Sequence, residues 1–198
     1  MIDNELTRII KERRSIRKYR NEQITEEQLQ TLLECGFLAP SGGNSQNWHV
    51  TVVQSKDFID RLSAANREQV LADKELPQAI KDRFSQSGYS VAFGAPTVLF
   101  ISAKGSDVNA CFLAEHIVLA AESLGLGTCY IGGIMGFLKG EDGKDFVEEL
   151  GVPEGYELLY GITVGIPDER PEPKPRDYTK VNYLRGHCRY SQRGKDSF

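Results

Sequence analysis

The fold is decided by residues 109–133, NACFLAEHIVLAAESLGLGTCYIGG, in which a long apolar helix pattern runs directly into a strand flanked by glycines. Between residues 112 and 124 the polar breaks are only Glu115, His116, Glu122 and Ser123. A helix that is apolar on nearly every face must be covered all round. The single core of a 198-residue chain covers one face of such a helix easily, so the pattern predicts a second subunit on the other.

Four glycines surround the β-prone run Thr128–Ile131, at positions 125, 127, 132 and 133. Glycine permits a positive φ and lets a backbone N–H come within bonding distance of a flat ligand. The alternative is a glycine helix cap at Gly125, an ordinary core strand and a turn at residues 132–133. This stretch alone leaves both interpretations open.

Composition predicts one globular domain over residues 1–198, with 40% hydrophobic and 26% charged residues. No run approaches the roughly 18 uninterrupted apolar residues of a membrane span. The start, MIDNELTRIIKERRS, has charges throughout and lacks the apolar block of a signal peptide. We therefore expect a cytoplasmic protein without a membrane partner.

Net charge and the cysteine and histidine spacing exclude two further classes. A net charge of −4 argues against a nucleic-acid binder, whose affinity depends on neutralising phosphates. The four cysteines are far apart, without a C-x-x-C pair, and no histidine lies four residues from another histidine or cysteine. We expect buried free thiols and no metal site.

The order of elements predicts an α+β domain of three layers, a mostly antiparallel sheet flanked by helices. Helices are expected at 3–12, from a capping box at Thr25–Gln28 to near Pro40, at 56–65, at 78–86 and at 142–150. Strands are expected at 48–54, 97–103, 128–131 and 156–164. Residues 66–77 are poorly patterned and suit either a mobile cover or an idle surface excursion. Residues 166–198 form an extension, proline-rich at first, that we expect to cross a neighbouring subunit.

Three groups of polar residues could hold a ligand. If residues 13–17 are extended, Arg13, Ser15 and Arg17 lie on one side and Ile16 anchors the other. Two guanidinium groups and a hydroxyl suit a phosphate monoester, although a basic cluster can equally be a solvated surface. Lys174 and Arg176 add charge near the other end, and the amide-rich loop 41–47 offers donors and acceptors.

Protein side chains have little support as catalysts here, because the chain has no nucleophile elbow, P-loop or H-E-x-x-H motif. The run Gly125–Tyr130 follows a helix and leads into a strand, which is the reverse of the Rossmann order. A phosphate cradle at each end, an amide loop and a glycine strand that can approach a planar ring together fit a mononucleotide such as FMN.

The chain also resembles the FMN-dependent nitroreductases over nearly its whole length. The matching motifs, in the family's order, are residues 13–17 (RRSIR), 39–48 (APSGGNSQNW), 119–133 (LAAESLGLGTCYIGG) and 174–176 (KPR).

Two positions depart from the family's pattern. Asn47 stands where many members have proline, which puts the stiffness of the loop in doubt, and Gly132 stands where some have glutamate, which removes a charge that could influence the acceptor.

The resemblance implies roles for thirteen cofactor-binding residues in an interwoven homodimer. Phosphate and the ribityl or pyrimidine side of FMN would be bound by Arg13, Arg14, Ser15 and Arg17, with Lys174 and Arg176 adding to the phosphate. The flavin of the partner subunit would be reached by Pro40, Ser41, Asn44 and Gln46. The ring would be lined by Ile131, Gly132 and Gly133, with the N–H of Gly133 facing N5.

The resemblance further implies ping-pong hydride transfer from NADH or NADPH through the flavin to a nitroaromatic, quinone or similar flat acceptor, with no catalytic side chain. Two alternatives stay open at this point. One is another flavin reaction on the same fold, such as dehalogenation or flavin destruction. The other is a non-enzymatic module that binds a phospho-ligand or RNA through the N-terminal arginines.

Overall fold

A computed structural model of the chain describes residues 2–184. It contains one four-stranded sheet in the order β1-β2-β4-β3, with every neighbouring pair antiparallel. The strands are β1 (Trp48–Val53), β2 (Thr97–Ala103), β3 (Gly127–Ile131) and β4 (Glu157–Gly165). The helices are α1 (Glu5–Glu12), α2 (Glu26–Phe37), α3 (Lys56–Ala72), α4 (Gln78–Phe84), α5 (Val108–Ser123), α6 (Met135–Leu138) and α7 (Lys144–Glu149). The expected α+β fold with an antiparallel sheet is confirmed.

Strand β2 lies at the centre of the sheet and separates two apolar layers. All seven of its residues are buried. Leu99 and Ile101 pack into the cluster formed with α2 and α5, whereas Phe100 packs into the cluster that includes Phe58 and Leu62 of α3. Complete burial of one such side chain stabilises the fold by roughly 1.5–3 kcal/mol. The alternation of side chains along β2 therefore produces the three expected layers.

The helix of the deciding stretch ends in a glycine cap, as the second interpretation of the glycines predicted. Gly125 has φ +70°, and its N–H donates to the carbonyl of Glu122 at 3.1 Å. The N–H of Leu126 donates to the carbonyl of Ala121 at 2.8 Å, which completes a Schellman motif. This cap turns α5 directly into β3 and so fixes the start of the glycine-flanked strand.

Helix α3 is longer than predicted, because it continues to Ala72 instead of ending at residue 65. The polar Asn66 is buried on its inner face, where Nδ2 donates to the hydroxyl of Tyr89 at 2.8 Å. The Tyr89 hydroxyl, which is distant in sequence, thus provides a hydrogen-bond partner for Asn66, a polar residue that seemed to interrupt the helix pattern. Of the poorly patterned residues 66–77, those up to Ala72 are therefore helical. The helix expected at 142–150 is a 3₁₀ turn, Glu141–Gly143, followed by α7.

One side of α5 is not covered by any residue in the range 2–184. Six residues are buried against α2 and the sheet, namely Ala110, Leu113, Ala114, Ile117, Val118 and Ala121. On the other side Val108 is 52% exposed and Phe112 is 44% exposed. Helix α1, which contacts α5, likewise exposes Leu6 and Ile10. Residues 2–184 therefore cover only one face of this helix, and the second subunit expected on the other face stays a prediction.

Two further observations concern the limits of the fold. No helix within residues 2–184 is both long enough and apolar enough to cross a membrane. The last part of the C-terminal extension, residues 185–198, lies outside the described range, together with His187 and Cys188.

Candidate ligand-binding site

A cavity of about 500 Å³ opens at the end of β3. One wall is residues 130–134, which are the last two residues of β3 and the three that follow it, and Arg17 of the N-terminal segment also lines the cavity. The opposite wall comes from α4 and the segment after it, between Arg83 and Phe93. The structure thus brings Arg17, Ile131, Gly132 and Gly133 together, as predicted from the sequence.

The backbone of Gly132 and Gly133 is open to this cavity. A Cβ atom built on either glycine would meet no protein atom within 4 Å. Gly127 differs, because a Cβ there would lie 2.8 Å from Cγ1 of Ile16. Packing of the N-terminal segment therefore requires Gly127, whereas nothing within residues 2–184 fills the space beside Gly132 and Gly133. A flat ring could lie against that bare backbone.

The basic segment 13–17 is extended along the open edge of β3. Ser15 forms a parallel bridge with Thr128, and the N–H of Ile16 donates to the carbonyl of Thr128 at 2.9 Å. Ile16 is buried, Arg13 and Ser15 are half-buried, and Arg17 is exposed. Ile16 is the buried anchor of an extended segment, as predicted, and the pairing with β3 places Arg17 at the cavity, whereas Arg13 and Ser15 do not line it.

The guanidinium of Arg14 is directed back at the protein. Its Nη1 donates to the carbonyls of Lys11 at 2.6 Å and Arg13 at 2.8 Å. Its Nε is buried without a hydrogen-bond partner among residues 2–184. Because these donors hold the end of α1, Arg14 supports the segment, and it does not line the cavity.

Phe93 is a cavity residue that the sequence analysis missed. Its φ is +57°, a left-handed conformation that is rare for an aromatic residue and often marks functional sites. The guanidinium carbon of Arg17 lies 5.9 Å from the centre of the Phe93 ring, within the range of a cation–π contact. The only signal in the sequence is the neighbouring glycine, Gly94, which has φ +79°.

The amide-rich loop is held by asparagines and lies away from the cavity. Nδ2 of Asn47 donates to the carbonyls of Lys104 at 2.7 Å and Ser106 at 2.8 Å. Nδ2 of Asn109, at the start of α5, donates to Oδ1 of Asn47 at 2.6 Å. The hydrogen bonds of Asn47 therefore hold the loop in place, although this position carries no proline. The loop residues expected to reach a ligand are Pro40, Ser41, Asn44 and Gln46, and none lines the cavity of its own chain.

The start of the C-terminal extension is hydrogen-bonded to the N-terminal segment. The N–H of Asp168 donates to the carbonyl of Lys18 at 2.9 Å, and the N–H of Arg20 donates to the carbonyl of Ile166 at 2.9 Å. The carboxylate of Glu169 accepts a hydrogen bond from the N–H of Arg17. Lys174 and Arg176 follow on an exposed stretch and do not line the cavity.

The sequence model of the nitroreductase family matches residues 10–166. This chain belongs to the nitroreductase family. The match runs from the end of α1 to the end of β4, so it includes the arginine segment, the amide loop and the glycine strand. The resemblance to the family is confirmed; three of the four motifs lie within the matched residues, and the fourth, at 174–176, lies beyond them.

Named relatives and solved structures agree with membership of the nitroreductase family. The chain is 34% identical over 167 residues to an NADPH-flavin oxidoreductase of Vibrio harveyi, covering 82% of this chain and 66% of that protein, just under two thirds. It is 29% identical over 184 residues to an FMN reductase [NAD(P)H] of Bacillus subtilis, covering 87% of this chain and 70% of that one. A crystal structure of a nitroreductase with bound FMN from Desulfitobacterium hafniense superposes with a TM-score of 0.84 at 29% identity, covering 93% of this chain and all of that chain (100%).

In this nitroreductase-family site the charged side chains that line the cavity are Arg17 and Arg83, and the nearby hydroxyl groups stay protonated. Burial raises the pKa of the thiol of Cys129, a residue of β3 that does not line the cavity, against the opposing charge of Arg17, so the thiol stays protonated near neutral pH. Burial likewise raises the pKa of the Tyr130 and Tyr89 hydroxyls. No Asp or Glu lines the cavity within residues 2–184. The arrangement can bind a planar anionic ligand and contains no evident general base.

Proposed function

We propose that this member of the nitroreductase family is an FMN-dependent oxidoreductase that takes a hydride from NADH or NADPH and reduces a nitroaromatic, quinone or similar flat acceptor in a ping-pong cycle. The observation that carries the proposal is one cavity in which Arg17 faces the unobstructed backbone of Gly132 and Gly133. A planar, negatively charged cofactor needs both features. The names of the relatives and the FMN-bound neighbour support the choice of FMN.

FMN, when bound, supplies the hydride chemistry through N5 of its ring. The chain supplies placement and charge. The N–H of Gly133 is expected to donate to the ring, and Arg17 is expected to stabilise negative charge on the pyrimidine side. Arg13 and Ser15, which lie on the same extended segment, are expected to bind the phosphate end with Lys174 and Arg176. No side chain is assigned a proton-transfer role.

We further propose that two copies of the chain form the complete site. The loop containing Ser41, Asn44 and Gln46 precedes β1, at one edge of the sheet, whereas the cavity lies at the end of β3, at the opposite edge. These residues could reach a flavin only in a partner subunit. The exposed apolar side of α5 offers a surface for that partner.

The function is tested by adding FMN to purified apoprotein and recording its absorbance spectrum, then following bleaching by NADH and by NADPH without oxygen. We expect bound flavin that either nucleotide reduces and that nitroaromatics or quinones reoxidise. Protein that retains no flavin would contradict the proposal. If flavin is bound and reduced but only halogenated aromatics, or the flavin itself, are consumed, another reaction on this fold would replace it.

Phe112→Glu is expected to convert the dimer to monomers. The substitution puts a charge into the exposed apolar surface of α5, where burial by a partner would be unfavourable. Leu71→Glu is the matched control, because Leu71 is also partly exposed but belongs to α3, on the other side of the sheet. Sedimentation and flavin content are the measurements. A dimeric Phe112→Glu protein with full flavin content would show that α5 is not the interface.

A further inference from the structure

Two arginines line the cavity, and the proposed function gives a role to only one of them. Arg17 and Arg83 both line it, and no carboxylate does within residues 2–184. Arg17 is engaged by the ring of Phe93 and lies beside the glycine backbone where we place the flavin. Arg83 lies on the opposite wall, at the end of α4. A second cation, separate from the one that serves the flavin, thus faces the same space.

Arg83 has no ion-pair partner among residues 2–184. Its neighbour Asp82 instead accepts a hydrogen bond from Nε2 of Gln78 at 2.8 Å. The guanidinium is exposed at the cavity mouth, so binding an anion there requires neither breaking an internal salt bridge nor paying for a buried charge.

The surface next to Arg83 is a fixed aromatic wall. The rings of Phe84 and Tyr89 lie 4.7 Å apart at an interplanar angle of 33°, and both line the cavity. Asn66 is buried in α3 and donates to the Tyr89 hydroxyl at 2.8 Å, while Nη2 of Arg67 reaches the carbonyl of Ser85 at 3.4 Å. These contacts tie the wall to α3. A planar ligand that packs against such rings would present its substituents to the cation beside them.

We propose that Arg83 forms an anion subsite for the second ligand of the cavity, so that this enzyme selects a ligand carrying an additional carboxylate or phosphate over the analogue that lacks this group. The inference rests on the proposed function, because the second ligand is the one that meets the flavin. The anion has two possible sources. It is either the 2′-phosphate that distinguishes NADPH from NADH, or an acidic group on the aromatic acceptor.

The test compares the FMN-loaded wild type with Arg83→Gln, which removes the charge, and Arg83→Lys, which keeps the charge but loses the fork geometry. Lys81→Gln is the matched control on the same helix, since Lys81 does not line the cavity. One arm measures kcat/KM for NADPH and NADH with a neutral quinone. The other measures kcat/KM for 4-nitrobenzoate and 4-nitrobenzamide with saturating NADH.

We expect Arg83→Gln to lower the preference for the member with the additional anionic group about tenfold in one of the two pairs, through KM, which corresponds to the loss of one charge-assisted contact. Arg83→Lys should retain part of the preference, and Lys81→Gln all of it. A change in the first arm identifies the nucleotide phosphate, and a change in the second identifies an acidic acceptor. Unchanged preferences in both arms, with flavin bound and turned over, would overturn the inference alone. A wild type that binds no flavin would instead overturn the proposed function.

Discussion

The double variant Arg13→Ala, Arg17→Ala is expected to fold and to lose its flavin. Both residues lie on the extended segment that pairs with β3, and the anchor of that segment, the buried Ile16, remains in place. The structure shows no ion pair for either guanidinium within residues 2–184 that the substitutions would break. Each charge-assisted contact to a phosphate or flavin oxygen contributes roughly 1.5–3 kcal/mol, so FMN affinity should fall on the order of a hundredfold or more.

The matched control is Arg8→Ala, Lys11→Ala, which removes the same charge from the same basic N-terminus. Arg8 and Lys11 lie on α1 and pair with Asp3 on the surface, where such pairs contribute little. The ratio of flavin to protein absorbance, thermal melting and sedimentation should be measured for both. If general positive charge were what attracts the cofactor, both double variants would lose flavin alike. Full occupancy in the Arg13, Arg17 variant would show that the phosphate is bound elsewhere.

The parts of the fold that the sequence predicts well are those with local causes. The capping box of α2 is present as expected, with the N–H of Gln28 donating to Oγ1 of Thr25 at 3.1 Å. Strand β2 has the predicted bounds, because its apolar run is β-branched and is flanked by Pro96. The end of α5 follows from Gly125. In each case the deciding interaction lies within a few residues of the signal.

The parts that the sequence does not predict depend on distant partners. Helix α3 continues through Asn66 only because Tyr89 accepts its amide hydrogen. Phe93 adopts a positive φ because surrounding packing holds it there, and no propensity indicates this. The same is true of Arg14, whose place in an arginine cluster suggested a ligand contact although its Nη1 donates to backbone carbonyls.

The candidate site likewise has a part that sequence motifs indicate and a part that depends on contacts between distant residues. Residues 13–17 and 131–133 come together because residues 15 and 16 pair with Thr128 of β3, and the sequence indicated this proximity only through its resemblance to the family. The wall that contains Arg83, Phe84 and Tyr89 depends on the packing of α4 against α3, for which the sequence has no local signal. The proposed substrate selection therefore depends on tertiary contacts, whereas the proposed cofactor-binding segments carry their own sequence motifs.

Gly133→Ala is expected to leave the flavin-free protein at least as stable as the wild type while weakening FMN binding roughly five- to a hundredfold. A Cβ at this position meets no atom within 4 Å, and the φ of Gly133 is not in the left-handed region. Replacing glycine by alanine at such a position raises the free energy of unfolding by about 0.4–1 kcal/mol. A methyl group between the backbone and a flavin ring, however, costs about 1–3 kcal/mol of overpacking. Stability without FMN and affinity for FMN change in opposite directions only if a ligand occupies the space beside Gly133.

Gly136→Ala is the control for this last experiment, because its Cβ also meets nothing within 4 Å but Gly136 does not line the cavity. Both variants should melt at or above the wild-type temperature without FMN. On addition of FMN the melting temperature should rise for wild type and Gly136→Ala and rise much less for Gly133→Ala, since stabilisation follows the affinity of the ligand for the folded state. Equal rises in all three proteins would mean that the flavin does not lie against Gly133, and the assignment of this cavity to the ring would be wrong.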